Sequence, residues 1–130
     1  MSYYFNKILK SKKFNEAIEQ VTAELKKEGF GVLTEINIKK TLKNKINVDF
    51  KNYVILGACN PHFAYKALMS EDKIGVLLPC NVIVEEHENG EIEVSAVDPI
   101  ASMGTVENEN LRDLSSEVQQ KLMKVINSMK

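Results

Sequence analysis

Residues 53–63 read Tyr-Val-Ile-Leu-Gly-Ala-Cys-Asn-Pro-His-Phe, and they constrain the rest of the chain more than any other stretch. Tyr53 to Cys59 is apolar on both parities, the pattern of a strand covered on both faces. Asn60-Pro61 then ends the strand and opens a helix running through Phe63, Ala64, Ala67 and Leu68. Asn60 has the short polar side chain of an N-cap. Pro61 suits the first helical position, where its missing N–H costs little. It also holds Asn60 in the extended region that a cap adopts. Cys59 therefore stands just before a helix N-terminus, where the macrodipole lowers the pKa of a partly exposed thiol. Residues 74–84, Ile-Gly-Val-Leu-Leu-Pro-Cys-Asn-Val-Ile-Val, answer this stretch. Each run carries one of the two cysteines, and each cysteine is followed directly by an asparagine.

The other elements are read around this pair. Residues 3–9 are a loosely periodic first strand. Residues 12–28 place Phe14, Ile18, Val21 and Leu25 on one helical face. Ser11 can cap this helix, and Gly29 stops it behind Lys26 and Lys27. Residues 30–38 alternate as a half-buried strand, with Val32, Thr34, Ile36 and Ile38 on one face. Residues 39–47 are a short helix or a flexible connection. Residues 74–78 read as a strand that Pro79 interrupts, because proline cannot donate to a sheet ladder. Asn89-Gly90 predicts a two-residue type I′ hairpin. That turn would pair His87 with Ile92, Ile83 with Ala96, and Asn81 with Asp98. Residues 107–128 form a long amphipathic helix with Leu111, Leu114, Val118, Leu122, Val125 and Met129 in one stripe, capped by Thr105 or Asn108.

Strand, helix, several antiparallel strands and a long helix make an α+β domain with the helices on one face of the sheet. A chain of 130 residues fits a single domain, residues 1–130. Its net charge of −1 gives no electrostatic case for nucleic acid. The charge is uneven: residues 1–73 hold thirteen lysines and eight acids, and residues 74–130 hold four basic residues and ten acids. Solvated faces or complementary surfaces in a homo-oligomer both fit that asymmetry. No apolar run has the length of a membrane-spanning helix, and the first residues lack the apolar core of a signal peptide. The expected address is the cytoplasm, where two cysteines are thiols rather than a disulfide.

Gly57-Ala58-Cys59-Asn60-Pro61 with Ala64 and Ala67-Leu68, then Leu77-Leu78-Pro79-Cys80-Asn81-Val82, then Asp98-Pro99 and Met103, resembles the bacterial and archaeal domain-of-unknown-function family 302. The segment Gly29-Phe30-Gly31-Val32-Leu33 resembles it too. The resemblance spans nearly the whole chain. It implies a TATA-binding-protein-like fold class of strand, helix, four strands and helix, and a homodimer. It implies no established activity, because the family is named for lacking one, and it lends no support to DNA binding, because this fold class hosts many functions.

The candidate ligand-binding residues are Cys59, Asn60, Cys80, Asn81 and Asp98. The candidate metal ligands are Cys59, Cys80 and His62. Both cysteines also fit small buried hydrophobes, Asn60 a plain cap, and His62 an exposed helix-start residue. His87 among Glu85, Glu86, Glu88, Glu91 and Glu93 reads as a solvated hairpin tip that can attract a cation. Nothing matches a nucleotide loop, a hydrolase elbow or a zinc finger, and no cofactor follows from the spacing. Three functions fit these residues. The first is a dimeric, non-enzymatic module binding a small molecule or metal near the Cys-Asn pairs. The second is a thiol enzyme or redox protein in which Cys59 is the nucleophile and Cys80 resolves it. The third is an interaction domain using the sheet edge or the last helix.

Overall fold

The computed structural model describes residues 2–130. Its strands are β1 (Tyr4–Leu9), β2 (Gly31–Asn37), β3 (Tyr53–Cys59), β4 (Cys80–Glu86) and β5 (Ile92–Val97). They form one sheet in the order β1-β5-β4-β3-β2, with every pairing antiparallel. The α-helices are α1 (Phe14–Lys27), α2 (Ile38–Ile46), α3 (Pro61–Ser70), α4 (Pro99–Ser102) and α5 (Glu109–Asn127). The frame is thus strand, helix, four strands, helix, with α2, α3 and α4 inserted.

One sheet face carries Leu56, Val82 and Ala96 in a row, with Val54, Val84 and Val94 in the next. Val21 and Leu25 of α1 and Val118, Leu122, Val125 and Ile126 of α5 bury this face, and all belong to one core cluster. Such burial stabilises by about 25 cal/mol per Å² of apolar surface. A second, smaller cluster of Ala67, Ile74 and Leu111 joins α3, the segment after it and the first turn of α5. Leu78, Met103, Val106 and Leu114 pack around it.

Several local expectations are corrected. Residues 74–78 are no strand: Asp72–Leu77 is a 3-10 helix. Ile74 is buried and Val76 exposed, so the run is anchored by one side chain rather than pleated. A short apolar run cannot by its periodicity be told from a buried helical turn. The Leu78–Pro79 peptide is cis, and β4 begins at Cys80.

The hairpin is not the two-residue type. Gly90 has φ +88°, but Asn89 is not left-handed, and a type I′ turn needs both. Gly90 N–H donates to His87 O and His87 N–H to Glu91 O, which is a three-residue loop with glycine in the left-handed position. The register moves by one: Ile83 faces Ser95, and Glu86 faces Ile92.

In β2, Val32 pairs with Ala58 and Thr34 with Gly57, so Leu33 is the extra residue of a bulge. Val32 and Thr34 therefore lie on opposite faces rather than one. Lys13, not Ser11, is the N-cap of α1, and the Glu16 carboxylate accepts from the Lys13 backbone N–H. Gly29 stops α1 as expected, with φ +86° and Phe30 N–H bonded to Leu25 O. Asn108 caps α5, its Oδ1 accepting from Asn110 N–H.

Candidate functional site

Between the two core clusters lies a cavity of about 340 Å³. Its position follows from side-chain size. Where α3 meets the sheet it presents Ala64 and Ala67, and where α5 passes above it presents Ser115 between Leu114 and Val118. These small residues stand where larger ones would close the core. Phe30 and Ala58 line one side, and Leu111, Leu114 and Met103 the other. Among the described residues, no charged side chain lines the cavity. A site lined mostly by apolar groups with a few polar ones is the ordinary form of a small-molecule pocket.

The cavity brings together three of the five candidate ligand residues. Cys59, Asn60 and Cys80 line it; Asn81 and Asp98 do not. Asn81 is exposed and sits opposite Gly57 of β3 rather than beside Asp98. Asp98 is the N-cap of α4, where its Oδ1 accepts from Ile100 N–H and from the Gln119 side chain. His62 is exposed and outside the lining. Among the described residues, Cys59, Cys80 and His62 do not form a group close enough to share an ion.

Asn60 has a different role from the one its position suggests. Its backbone is extended, as a cap requires, but its side chain accepts no helical N–H. Nδ2 donates instead to Glu28 O at 3.3 Å, tying the start of α3 to the end of α1. The residue is 8% exposed. Its amide approaches Gly29 so closely that a Cβ there would lie 3.0 Å from Nδ2.

Gly57 is required for a related reason. A Cβ at this position would collide with Thr34 Oγ1 and come 2.9 Å from Pro79 Cγ. Thr34 and Pro79 both line the cavity, so the glycine lets the β2 bulge and the turn into β4 close on each other.

Both cysteines are free. Burial pushes the Cys80 thiol up to about 11, and the nearby Cys59 adds to the rise. A buried, protonated thiol is a poor nucleophile.

The hairpin cluster is partly organised. Glu85, His87 and Glu93 bring three ligand atoms within 4.8 Å of one another. Glu85 is held by Lys51 Nζ at 2.7 Å, and Glu93 by His87 Nε2 at 2.8 Å and Asn6 Nδ2 at 2.6 Å. Burial pushes the Glu93 carboxyl up, but the hydrogen bonds from Asn6 and His87 and the charges of His87 and Lys51 outweigh it, leaving it below the usual range. Each carboxylate already has a cationic or amide partner.

The cavity residues from α4 and α5, such as Met103, Leu111 and Ser115, do not emerge from the motifs. The available signal was Ser115, a polar residue interrupting the apolar stripe of the last helix. Among the described residues, no helix is long and apolar enough to cross a membrane.

Comparison with known proteins gives the same architecture. The family model described as "Domain of unknown function DUF302" matches residues 5–129. Over the whole length of both chains, the protein is similar to an uncharacterized conserved DUF302 protein from Bacillus stearothermophilus whose crystal structure is solved. The two share 26% sequence identity, with a TM-score of 0.91. No curated protein matches the chain. The matched residues include both Cys-Asn pairs, both core clusters and the cavity, and the chain belongs to the DUF302 family.

Proposed function

We propose that this protein is a binding module for a small apolar molecule, held in the cavity beside the two Cys-Asn pairs. The observation that carries this reading is the lining: about 340 Å³ of space with apolar walls, edged by Cys59, Asn60 and Cys80 and by no charged group. An apolar cavity less than half this size can stay dry and take up benzene. The lining favours a small organic molecule over a metal, because its two thiols have no third ligand. It also disfavours the redox reading, because Cys80 resists ionisation. Thermal denaturation with n-octanol tests the module. The alcohol should raise Tm, as any ligand of the native state does. In Ala64→Phe, which fills the cavity from α3, the rise should vanish. A rise that persists in this variant would place the binding elsewhere.

The module also works as a homodimer, a reading supported by the sheet face turned away from α1 and α5. The register sets Ile36, Ile55, Ile83, Ser95 and Asn6 in one row across all five strands of this face. Ile55 and Ile83 are half-buried, and Ile36, Ile8 and Tyr4 are exposed on the same side. The row is apolar from β2 to β4, and an apolar sheet face can pack on its own copy across a two-fold axis. Sedimentation velocity should show a dimer that Ile83→Lys converts to a folded monomer. A monomeric wild-type protein would overturn the dimer and leave the cavity untouched.

A further inference from the structure

Resting on the cavity reading above, we propose that the ligand is an uncharged, mostly hydrocarbon molecule bearing one hydrogen-bond donor, and that Asn60 Oδ1 reads this donor. Three observations lead there.

The first is the absence of compensation for charge. Among the described residues, lysine, arginine, histidine, aspartate and glutamate are all missing from the lining. An ionised head group drawn into this space would lose its hydration with no opposite charge to replace it.

The second is the state of the Asn60 amide. One of its two N–H donors is taken: Nδ2 bonds to Glu28 O, and Glu28 is outside the cavity wall. Oδ1 accepts from no group among the described residues, although the residue is more than nine-tenths buried and lines the cavity. Oδ1 is not sealed off: among the described residues, Gln20 Oε1 is the one fully buried side-chain oxygen left without a partner, so the Asn60 oxygen keeps accessible surface. Oδ1 is the atom of the amide left wholly without a partner, and a ligand that brings an O–H or N–H satisfies it.

The third is polarity along the cavity. Thr34, Cys59 and Asn60 gather where β2, β3 and α3 meet, since Gly31 pairs with Cys59 and Thr34 with Gly57. At the opposite wall, Leu111, Leu114 and Met103 are apolar, and the Ser115 hydroxyl is already spent on Met103 Sδ at 3.4 Å. A molecule with a donor at one end and a hydrocarbon tail fits one way round, with the donor at Asn60 and the tail against α5.

Calorimetric titration of the full chain with four probes of matched length tests this inference. The probes are n-octanol, methyl heptyl ether, n-octanoate and n-octylammonium. n-Octanol should bind best. The ether has the same number of heavy atoms and no donor, and it should bind about tenfold more weakly. Octanoate and octylammonium should each be weaker still. Asn60→Leu should bring n-octanol down to the level of the ether while leaving the ether unchanged. The ether comparison needs no variant, so it stands even if loss of the Glu28 tie unfolds Asn60→Leu. Octanoate or octylammonium binding as well as n-octanol would overturn the uncharged class. Equal binding of alcohol and ether would overturn the role of Asn60. Either result would leave the apolar cavity as the site. No binding of any probe would instead overturn the module itself.

Discussion

Leu111→Ala is expected to lower stability by about 3 kcal/mol, within the range for deleting a buried leucine side chain. Leu111 is 1% exposed and, like Ala67, belongs both to the smaller core cluster and to the cavity wall. Around it, Ala67 and Ile74 are held by α3 and the 3-10 helix, and neither can swing far into the gap. The space left by the side chain would open into the existing cavity rather than collapse. The substitution therefore changes two observables together. Urea denaturation should show the loss of stability, and titration should show tighter relative binding of n-decanol over n-octanol than in the wild-type protein. A loss below about 1 kcal/mol would mean that the smaller cluster is loosely packed. An unchanged chain-length preference would mean that the cavity does not extend to α5.

The second large effect is on pH dependence. The Cys80 thiol is held neutral by burial, moving from an ordinary 9.0 to about 11 in the native fold. Below pH 9 it is protonated in both folded and unfolded chains, and its contribution is fully present. As pH rises past 9.0, the unfolded chain releases the proton and the folded chain does not. Stability then falls by about 1.4 kcal/mol per pH unit. Across the window up to 11 the loss approaches about 3 kcal/mol, and above it the loss levels off. Tyrosines and lysines titrate in the same range, so the measurement is a difference. Denaturation midpoints of the wild-type protein and Cys80→Ala should converge between pH 9 and pH 11. Parallel curves would show that the thiol is hydrated, and would return Cys80 to the pool of reactive cysteines.

The sequence was informative where one residue type has one structural meaning. Pro61 marks the first turn of α3, and Gly29 ends α1, because few alternatives are compatible with those backbones. The apolar stripes of α1 and α5 placed the main core for the same reason. It misled where a local signal has two solutions. Asn-Gly permits a two-residue or a three-residue loop, and the choice of the longer one shifts β5 by a residue and separates Asn81 from Asp98. Asn60 looks like a cap by every local rule, yet its amide finds the Glu28 carbonyl, which is distant in sequence. Leu33 gave no sign of the bulge that turns Thr34 away from Val32. At 68% exposure it marks the edge of the cavity only through its place in space. The cavity itself was half legible. Its polar rim came from the two cysteines and Asn60, but its apolar wall depends on where α5 crosses α3, and no short motif encodes that crossing.

The most direct test of the cavity as a ligand site is a methyl-resolved NMR titration of the native protein with n-octanol. The methyl signals of Ala58, Ala64, Ala67, Met103, Leu111 and Leu114 should move together along one saturating curve. Those of Ala17 and Val94, buried in the main core but outside the lining, should stay in place. Saturating shifts confined to Ile36, Ile55 and Ile83 on the opposite sheet face, or no saturating shift at all, would contradict it.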